Sequence, residues 1–453
     1  MLLLSACFSA FAATVGGDVS YSKAPFEMPV VKQPSIPDYD VDITDFGAMG
    51  DGVTLCTDAF RQAFEALEKK GGGRINVPQG VWLTGPIVFR SHCELHLETG
   101  AVILFSSDEK LFPLTETVFE GVKAMRRLSP LSGENLTDIA ITGNGAIDGN
   151  GEFWRPLKRA KVTNGQWNAI TANGGTVSKN GSLWTPPGDR ATTRPNLLKF
   201  VSCKRVLLQG VTFKDSPAWN LHPLMCEDVI LDHVIVRSPE YAQNSDALDL
   251  ESCRNALIIG CIFDVGDDGI CIKSGRDEEG RKRGMPTENV IVEDCTVFHG
   301  HGGFVVGSEM SGGARNIYVR NCKFLGTDNG LRFKSTRGRG GVVEKIYIEN
   351  VSMTDISGDA ILFNLYYASG IKRGDPVPEK AVDETTPSFR DIHISNVACA
   401  GSNHGIMING LPEMPVKNIY LKDIRIIAHS ESIFDYCKDI YQENVNVMVI
   451  NAQ

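Results

Sequence analysis

The sequence predicts an all-β fold, a single-stranded right-handed parallel β-helix closed at one end by a short N-terminal capping helix. Three observations predict it: an apolar six-residue pattern that recurs from Val206 onward, a second short strand at fixed phase in most copies, and helical periodicity in one early segment.

The copies begin at Val206, Val229, Ala256, Val290, Ile317, Ile346, Ile392 and Ile419, with spacings of 23, 27, 34, 27, 29, 46 and 27 residues. A unit in the twenties with insertions is the period of a solenoid. Apolar and polar residues alternate in each copy, and Gly, Asn and Asp cluster between copies, which fits strands joined by turns. The second strand begins at Ala247, Gly269, Gly303, Gly330, Ala360 and Gly405, and its second and fourth residues are apolar every time. Those residues point inward, so the third and fifth point out. Arg332 and Lys334 are thus expected to face solvent together, with Phe333 in the core.

Phe60, Ala63, Phe64 and Leu67 follow helical spacing between Asp58 and the Gly71-Gly72-Gly73 breaker. A helix there would cap the open end of the solenoid and hide backbone groups that would otherwise template aggregation.

The 453 residues, 42% of them hydrophobic, are enough to bury one elongated core, and no apolar run reaches membrane-spanning length. The chain divides into a leader at 1–13, an N-terminal extension at 14–40 and a β-helix domain at 41–453. A net charge of −10 argues against nucleic acid as a partner but leaves room for an anionic sugar in a local basic cleft. A monomer is expected. Of the twelve cysteines, Cys261, Cys295 and Cys322 occupy places held by Val or Ile in other copies, and Cys203, Cys226 and Cys253 form a second stack at a turn. No CxxC pair supports zinc. The first thirteen residues are apolar and end near Ala10-Phe11-Ala12, a small-residue cleavage pattern, although a basic start is missing. Leu4-Ser5-Ala6-Cys7 is also similar to a lipobox. Export is expected, with lipid anchoring at Cys7 left open.

Four segments carry the chemistry: Asn244-Ser245-Asp246, Gly266-Asp267-Asp268-Gly269, Gly300-His301-Gly302 and Arg332-Phe333-Lys334. Asp246 and Asp268 share a phase in adjacent coils, about 4.8 Å apart, with Asp267 next to them. Three carboxylates so close cannot all ionise at ordinary pKa, so one should hold a proton near neutrality. Each Asp alone is more simply a turn residue, as Asn255, Asn289 and Asn316 are. His301 stands eleven residues after Val290 just as Asp267 stands eleven after Ala256, and that coincidence of phase favours chemistry. Arg332 and Lys334, one coil on, suit a substrate carboxylate.

These residues resemble glycoside hydrolase family 28, the polygalacturonases, whose signatures are Asn-Thr-Asp, Gly-Asp-Asp, Gly-His-Gly and Arg-Ile-Lys. Ser245 and Phe333 are the two departures. The resemblance extends through Asp45-Phe-Gly-Ala-Met-Gly-Asp-Gly52 and Gly143-Asn-Gly-Ala-Ile-Asp-Gly149 to the last coils. It implies a right-handed parallel β-helix and hydrolysis with inversion, with no metal or organic cofactor, on a pectic polysaccharide or oligogalacturonide. By the same resemblance Asp267 is the general acid, Asp246 and Asp268 activate water, and His301 tunes the acid. Asn244 orients the first carboxylate, Arg332 and Lys334 bind the galacturonate carboxylate, and Tyr366 or Tyr367 adds a sugar contact.

Insertions at 149–194, 276–285 and 370–387 lie outside the coil pattern; the second reads as a charged, solvated loop. Closure of one groove end by them would leave room for a chain terminus alone, as in bacterial exo-acting relatives with long insertions. Endo-action, or release of galacturonate from rhamnogalacturonan, is the nearer alternative. A calcium-dependent pectate lyase and a non-catalytic carbohydrate-binding β-helix are more distant.

Overall fold

Register makes each sequence copy one turn of a coil. In the computed structural model, which describes residues 17–450, Val206 pairs in parallel with Val229, and the ladder runs on through Ala256, Val290, Ile317, Ile346, Ile392 and Ile419. The result is one right-handed parallel β-helix. The leader and Cys7 lie outside the described residues. The column also extends past the recognised copies: Gly73, Cys93 and Ile139 precede Val206, and Ile440 follows Ile419. Cys93 and Gly73 fall outside the Val/Ile pattern, which is why the early coils escaped it.

The second strands form their own column, with Leu248, Ile270, Phe304, Leu331, Ile361 and Ile406 in register and buried. A third column was not foreseen. Thr212–Lys214, Ile235–Arg237, Ile262–Asp264, Thr296–Phe298 and Lys323–Leu325 stack in register, and three residues are too few to show a period of two. Asn255, Asn289 and Asn316, read as turn residues, instead sit at a bend near the start of the strands Arg254–Ile259, Thr287–Glu293 and Ala314–Arg320. Each takes a left-handed φ between 53° and 57°, and their amides form a ladder with Nδ2 to Oδ1 distances of 3.1 Å.

Outward positions of the first column break the polar alternation at Leu207, Ile230, Leu257 and Ile291. The N-terminal segment explains this, because Val19, Tyr21, Phe26 and Val31 lie across that face and bury it. The cap is the Thr57–Lys69 helix, which buries Ala59, Phe60, Ala63, Phe64 and Leu67, with Phe64 against Phe89 at 5.1 Å. The cysteines among the described residues are free thiols, buried except for the half-buried Cys437.

The insertions rise around the second column. The 149–194 stretch folds into a helix, Asn164–Thr171, and a small antiparallel sheet of Leu157–Lys158, Thr176–Val177 and Leu183–Thr185. The expected charged loop after Gly275 is instead a helix, Asp277–Arg283. Acidic residues fill its first turn and basic ones its last, which suits the helix dipole, and Gly284 ends it in a left-handed conformation at φ 60°. A hairpin the sequence reading missed, Leu114–Phe119 with Val122–Arg127, arches over the same face.

Candidate active site

The outward residues of the second column decide the chemistry, because neighbouring coils bring equal phases into contact. Asp268 starts the Asp268–Lys273 strand and pairs in register with Gly302, which sets His301 against Asp267. Imidazole Nδ1 lies 3.0 Å from Asp267 Oδ1, and the Asp268 amide donates to the same oxygen at 3.0 Å. Burial is the largest effect on Asp267 and opposes its charge, but the His301 hydrogen bond together with the charges of His301 and Lys334 holds the carboxyl below its usual range. The same bond raises His301. His301 Nε2 faces Asp328 Oδ2 at 3.8 Å.

One residue on, Asp268 is buried and accepts from Lys334 Nζ at 2.6 Å and Arg332 Nη1 at 3.2 Å. Burial would raise Asp268, yet Lys334, Arg332 and Lys273 hold it far below the carboxylate range. The expectation that Arg332 and Lys334 stand free in solvent is therefore corrected. Both point away from the core, but protein packed above the groove covers them, and the Lys334 side chain keeps 8% of its exposure. Phe333 is in the core as expected, stacked on Phe363 at 4.5 Å.

Asp246 sits on the other side of the group, where burial first, then Asp249 and Asp267, lifts its pKa well above the usual value. Asp246, together with Asp249, which burial also raises, is thus driven toward the protonated form, while Asp267 and Asp268 are driven toward the ionised form. Lys273 Nζ ties this side together, at 3.6 Å from Asp246 Oδ2, 3.4 Å from Asp249 Oδ1 and 3.0 Å from Glu309 Oε2, beneath the Trp219 ring at 4.5 Å. Lys273, Asp249, Glu309 and Trp219 were not singled out from the sequence. A signal existed for two of them, since Asp249 and Lys273 occupy the same outward third and fifth places as Arg332 and Lys334.

Asn244 and the two tyrosines are placed differently from expectation. Asn244 adopts φ 53°, and its Oδ1 accepts from Arg194 Nη2 at 2.6 Å, so it is anchored to an arginine of the 149–194 insertion and not to Asp246. Tyr366 turns into the hydrophobic core, whereas the Tyr367 ring lies 5.5 Å from the Arg332 guanidinium and 5.2 Å from Lys334 Nζ. Two adjacent residues on a bend take opposite sides, and that choice is tertiary.

Oxygen and nitrogen atoms of Asp267, Asp268 and His301 come within 4.8 Å of one another, as do ligand atoms of Asp246, Asp268 and Cys271. Either set has the donors for a cation, but Asp268 is already neutralised by Lys334 and Arg332, whose charges would repel one.

The groove over these residues is bridged on its Trp219 side. Phe119 at the hairpin tip stacks on Trp219 at 5.6 Å and 18°. Glu120 reaches Arg276 at 3.9 Å, and the Lys123 amide donates to Glu279 Oε2 at 3.1 Å. Gly121, at φ 77°, has no room for a side chain, since a Cβ would lie 2.7 Å from the Arg276 backbone. Arg127 joins the hairpin to Asp189 of the 149–194 insertion at 3.2 Å.

The family profile described as "Glycosyl hydrolases family 28" matches residues 157–446, the stretch that holds these carboxylates, imidazole and cations. The chain belongs to family 28. A "Probable polygalacturonase" of Vitis vinifera is 29% identical over 414 residues, 89% of this chain and 77% of that one. An "Exo-poly-alpha-D-galacturonosidase" of Dickeya chrysanthemi is 28% identical across 82% of this chain and 64% of its own. Among solved structures, a hyperthermoactive exopolygalacturonase of Thermotoga maritima is 35% identical, with a TM-score of 0.79 over 92% of this chain and 94% of that one. As a family 28 member the protein is a glycoside hydrolase.

Proposed function

We propose that this family 28 enzyme removes galacturonic acid from the ends of α-linked galacturonan chains in pectic polysaccharide or oligogalacturonide, with inversion. One observation carries the exo-acting reading: the hairpin and the Asp277–Arg283 helix meet across the groove on the Trp219 side of the carboxylates. A polymer cannot continue past that contact, so only a terminal unit reaches the cluster. The relatives named exo-acting point the same way.

In this reading Asp267 protonates the leaving oxygen, and Asp246 with Asp268 activates the water. His301 tunes the acid, Asn244 and Arg194 hold the turn before Asp246, and Tyr367 contacts the sugar. A galacturonate carboxylate entering beside Lys334, Arg332 and Tyr367 would compete with Asp268 for the cations. It would also add negative charge to the cluster. Both effects raise the Asp267 pKa, and the proton favoured on the Asp246 side passes to Asp267 when substrate is bound, which leaves Asp246 ionised beside Asp268 to activate water. Asp267 and Asp268 lie closer than the about 6.5–9.5 Å usual for inverting pairs, so the product anomer is the decisive readout of stereochemistry.

Export belongs to the same proposal, because a cell-wall polymer does not cross a bilayer and the apolar 1–13 stretch offers the leader, with anchoring at Cys7 the alternative to free release. Among the described residues no helix is long and apolar enough to span a membrane. The enzyme is proposed to act as a monomer.

The test is polygalacturonate digestion in a calcium chelator, following reducing ends, viscosity and ultraviolet absorbance. Saturated galacturonate released before viscosity falls is expected. Rapid viscosity loss would indicate endo-action, inertness would redirect the search to rhamnogalacturonan fragments, and calcium-dependent unsaturated products would overturn hydrolysis.

A further inference from the structure

Beyond the Phe119–Trp219 wall, on the side away from the carboxylates, a second cavity of about 260 Å³ lies between the hairpin and the Leu131–Glu134 and Leu198–Val201 strands. It belongs to the same face as the active-site groove. Leu198 leads through Leu221 and Leu248 to Ile270 in register, so Asn196 holds in its coil the place that Asp246 and Asp268 hold in theirs. None of the catalytic cluster lines it.

Its lining mixes apolar residues such as Val88, Val118 and Leu128 with cations and the carboxylates of Glu116 and Glu134, and part of its polar surface is unsatisfied. Arg126 Nε, Arg127 Nε, Ser132 Oγ and Asn196 Oδ1 are buried without hydrogen-bond partners. Asn196 is 3% exposed and Lys199 7%. Ser132 and Lys199 are register partners, and Lys199 Nζ is held by Thr117 Oγ1 at 2.6 Å and by the Val118 carbonyl. The Arg126 guanidinium packs on the Phe119 ring at 3.6 Å and makes no ion pair among the described residues. Its neighbours are cations as well: burial, then Arg126 and Arg155, brings Arg194 down to about 10. Burial also brings Lys199 down to about 8, with Arg283 and Arg126 adding to the fall and Glu251 opposing it.

Such a cavity calls for one negative charge. It also calls for a hydroxyl donor, because the Asn196 carbonyl oxygen and the Glu134 carboxylate can only accept. An ionised simple carboxylate lacks that donor, whereas a sugar acid joins a carboxylate to several hydroxyl donors. The volume is below the about 300–1,000 Å³ of sites for drug-sized ligands, which leaves room for one sugar. We propose that this cavity is a second saccharide site for a single uronate unit, with its carboxylate on Arg126 and its hydroxyls on Ser132 and Asn196. The choice of galacturonate as that uronate rests on the galacturonan reading of the active site.

The test is calorimetric titration of the full chain carrying Asp267→Asn with D-galacturonate, digalacturonate and D-galactose. The same chain is then titrated with Arg126→Gln added, and separately with Ser132→Leu, which fills the cavity. Either change is expected to weaken galacturonate binding at least about ten-fold, the worth of a charge-assisted hydrogen bond. Galactose should bind far more weakly than galacturonate to the parent. Tighter digalacturonate binding would identify a chain end as the occupant, and equal binding the free monomer. Affinity unmoved by both substitutions, binding of galactose as tight as galacturonate, or no binding to the parent would overturn the proposal. Turnover of polygalacturonate by chains carrying Arg126→Gln alone is read separately. Absence of uronate binding in the parent with hydrolysis intact removes this inference alone, whereas uronate binding in a chain inert on galacturonan removes the substrate reading alone.

Discussion

Asp267 and His301, proposed as one acid–base unit, are joined by a 3.0 Å hydrogen bond that lowers the carboxyl and raises the imidazole. Replacing Asp267 by Asn should lower kcat by about 10²–10⁴-fold with folding unchanged by circular dichroism, the usual worth of a general acid. Full activity in that variant would remove Asp267 from the role. His301 is raised above its ordinary value, so its proton stays on to higher pH and leaves as pH rises through that raised value. The basic limb of kcat/KM is therefore expected to follow His301. In His301→Ala the proton must rest on a lone carboxyl, and the limb should move to lower pH; an unmoved limb would mean another group sets it. Asp268 has the opposite sign. Its depressed pKa contributes stability above the unfolded carboxylate value, lost as pH falls through the folded one. Lys334→Met leaves Asp268 to Arg332 and Lys273 and should cost about 3–5 kcal/mol in urea unfolding at neutral pH. The loss should shrink in acid, where Asp268 takes up a proton.

In the proposed exo-acting reading the hairpin at 114–127 closes the groove without touching the reacting groups. Its tip holds across the gap by the Phe119–Trp219 stack, the Glu120–Arg276 pair and the close approach of Gly121. Exchanging residues 118–123 for a two-residue Asn-Gly turn would keep the strands paired and open the groove. Viscosity of polygalacturonate should then fall early relative to reducing-end release, and longer oligomers should appear on chromatography. A product profile that stays monomeric would show that the closure lies elsewhere.

Across the whole molecule, stability is a sum over coil-to-coil contacts, because each coil touches mainly its neighbours. Phe333 and Phe363 stack at 4.5 Å inside the coils that present Arg332 and Lys334 outward. Phe333→Ala should cost about 3–5 kcal/mol by leaving a cavity. Because the cavity lies under Arg332 and Lys334, KM should rise as well. Guanidinium unfolding and initial rates on the same sample check both parts; a stability loss with unchanged KM would show that the outward cations are held by Asp268 alone.

Repeat period, inward and outward phase and the meeting of Asp267 with His301 were legible in the sequence, since register in a parallel solenoid turns equal phase into contact. The Thr57–Lys69 cap was legible for a similar reason: helical spacing is local. What escaped was decided by parts of the chain distant in sequence. The N-terminal segment covers apolar residues of the first column, the hairpin reaches Trp219 and Glu279, and Arg194 takes the Asn244 amide that was expected to serve Asp246. Charge state was non-local too, because Asp246, Asp267 and Asp268 look alike in the sequence. Only burial among Asp249, His301, Lys273 and Lys334 raises the pKa of the first and lowers those of the other two. Sequence periodicity thus determined the coil and its catalytic face, while long-range packing decided which groups are charged and where the groove ends, because burial and Coulomb interaction depend on distance in space and not along the chain.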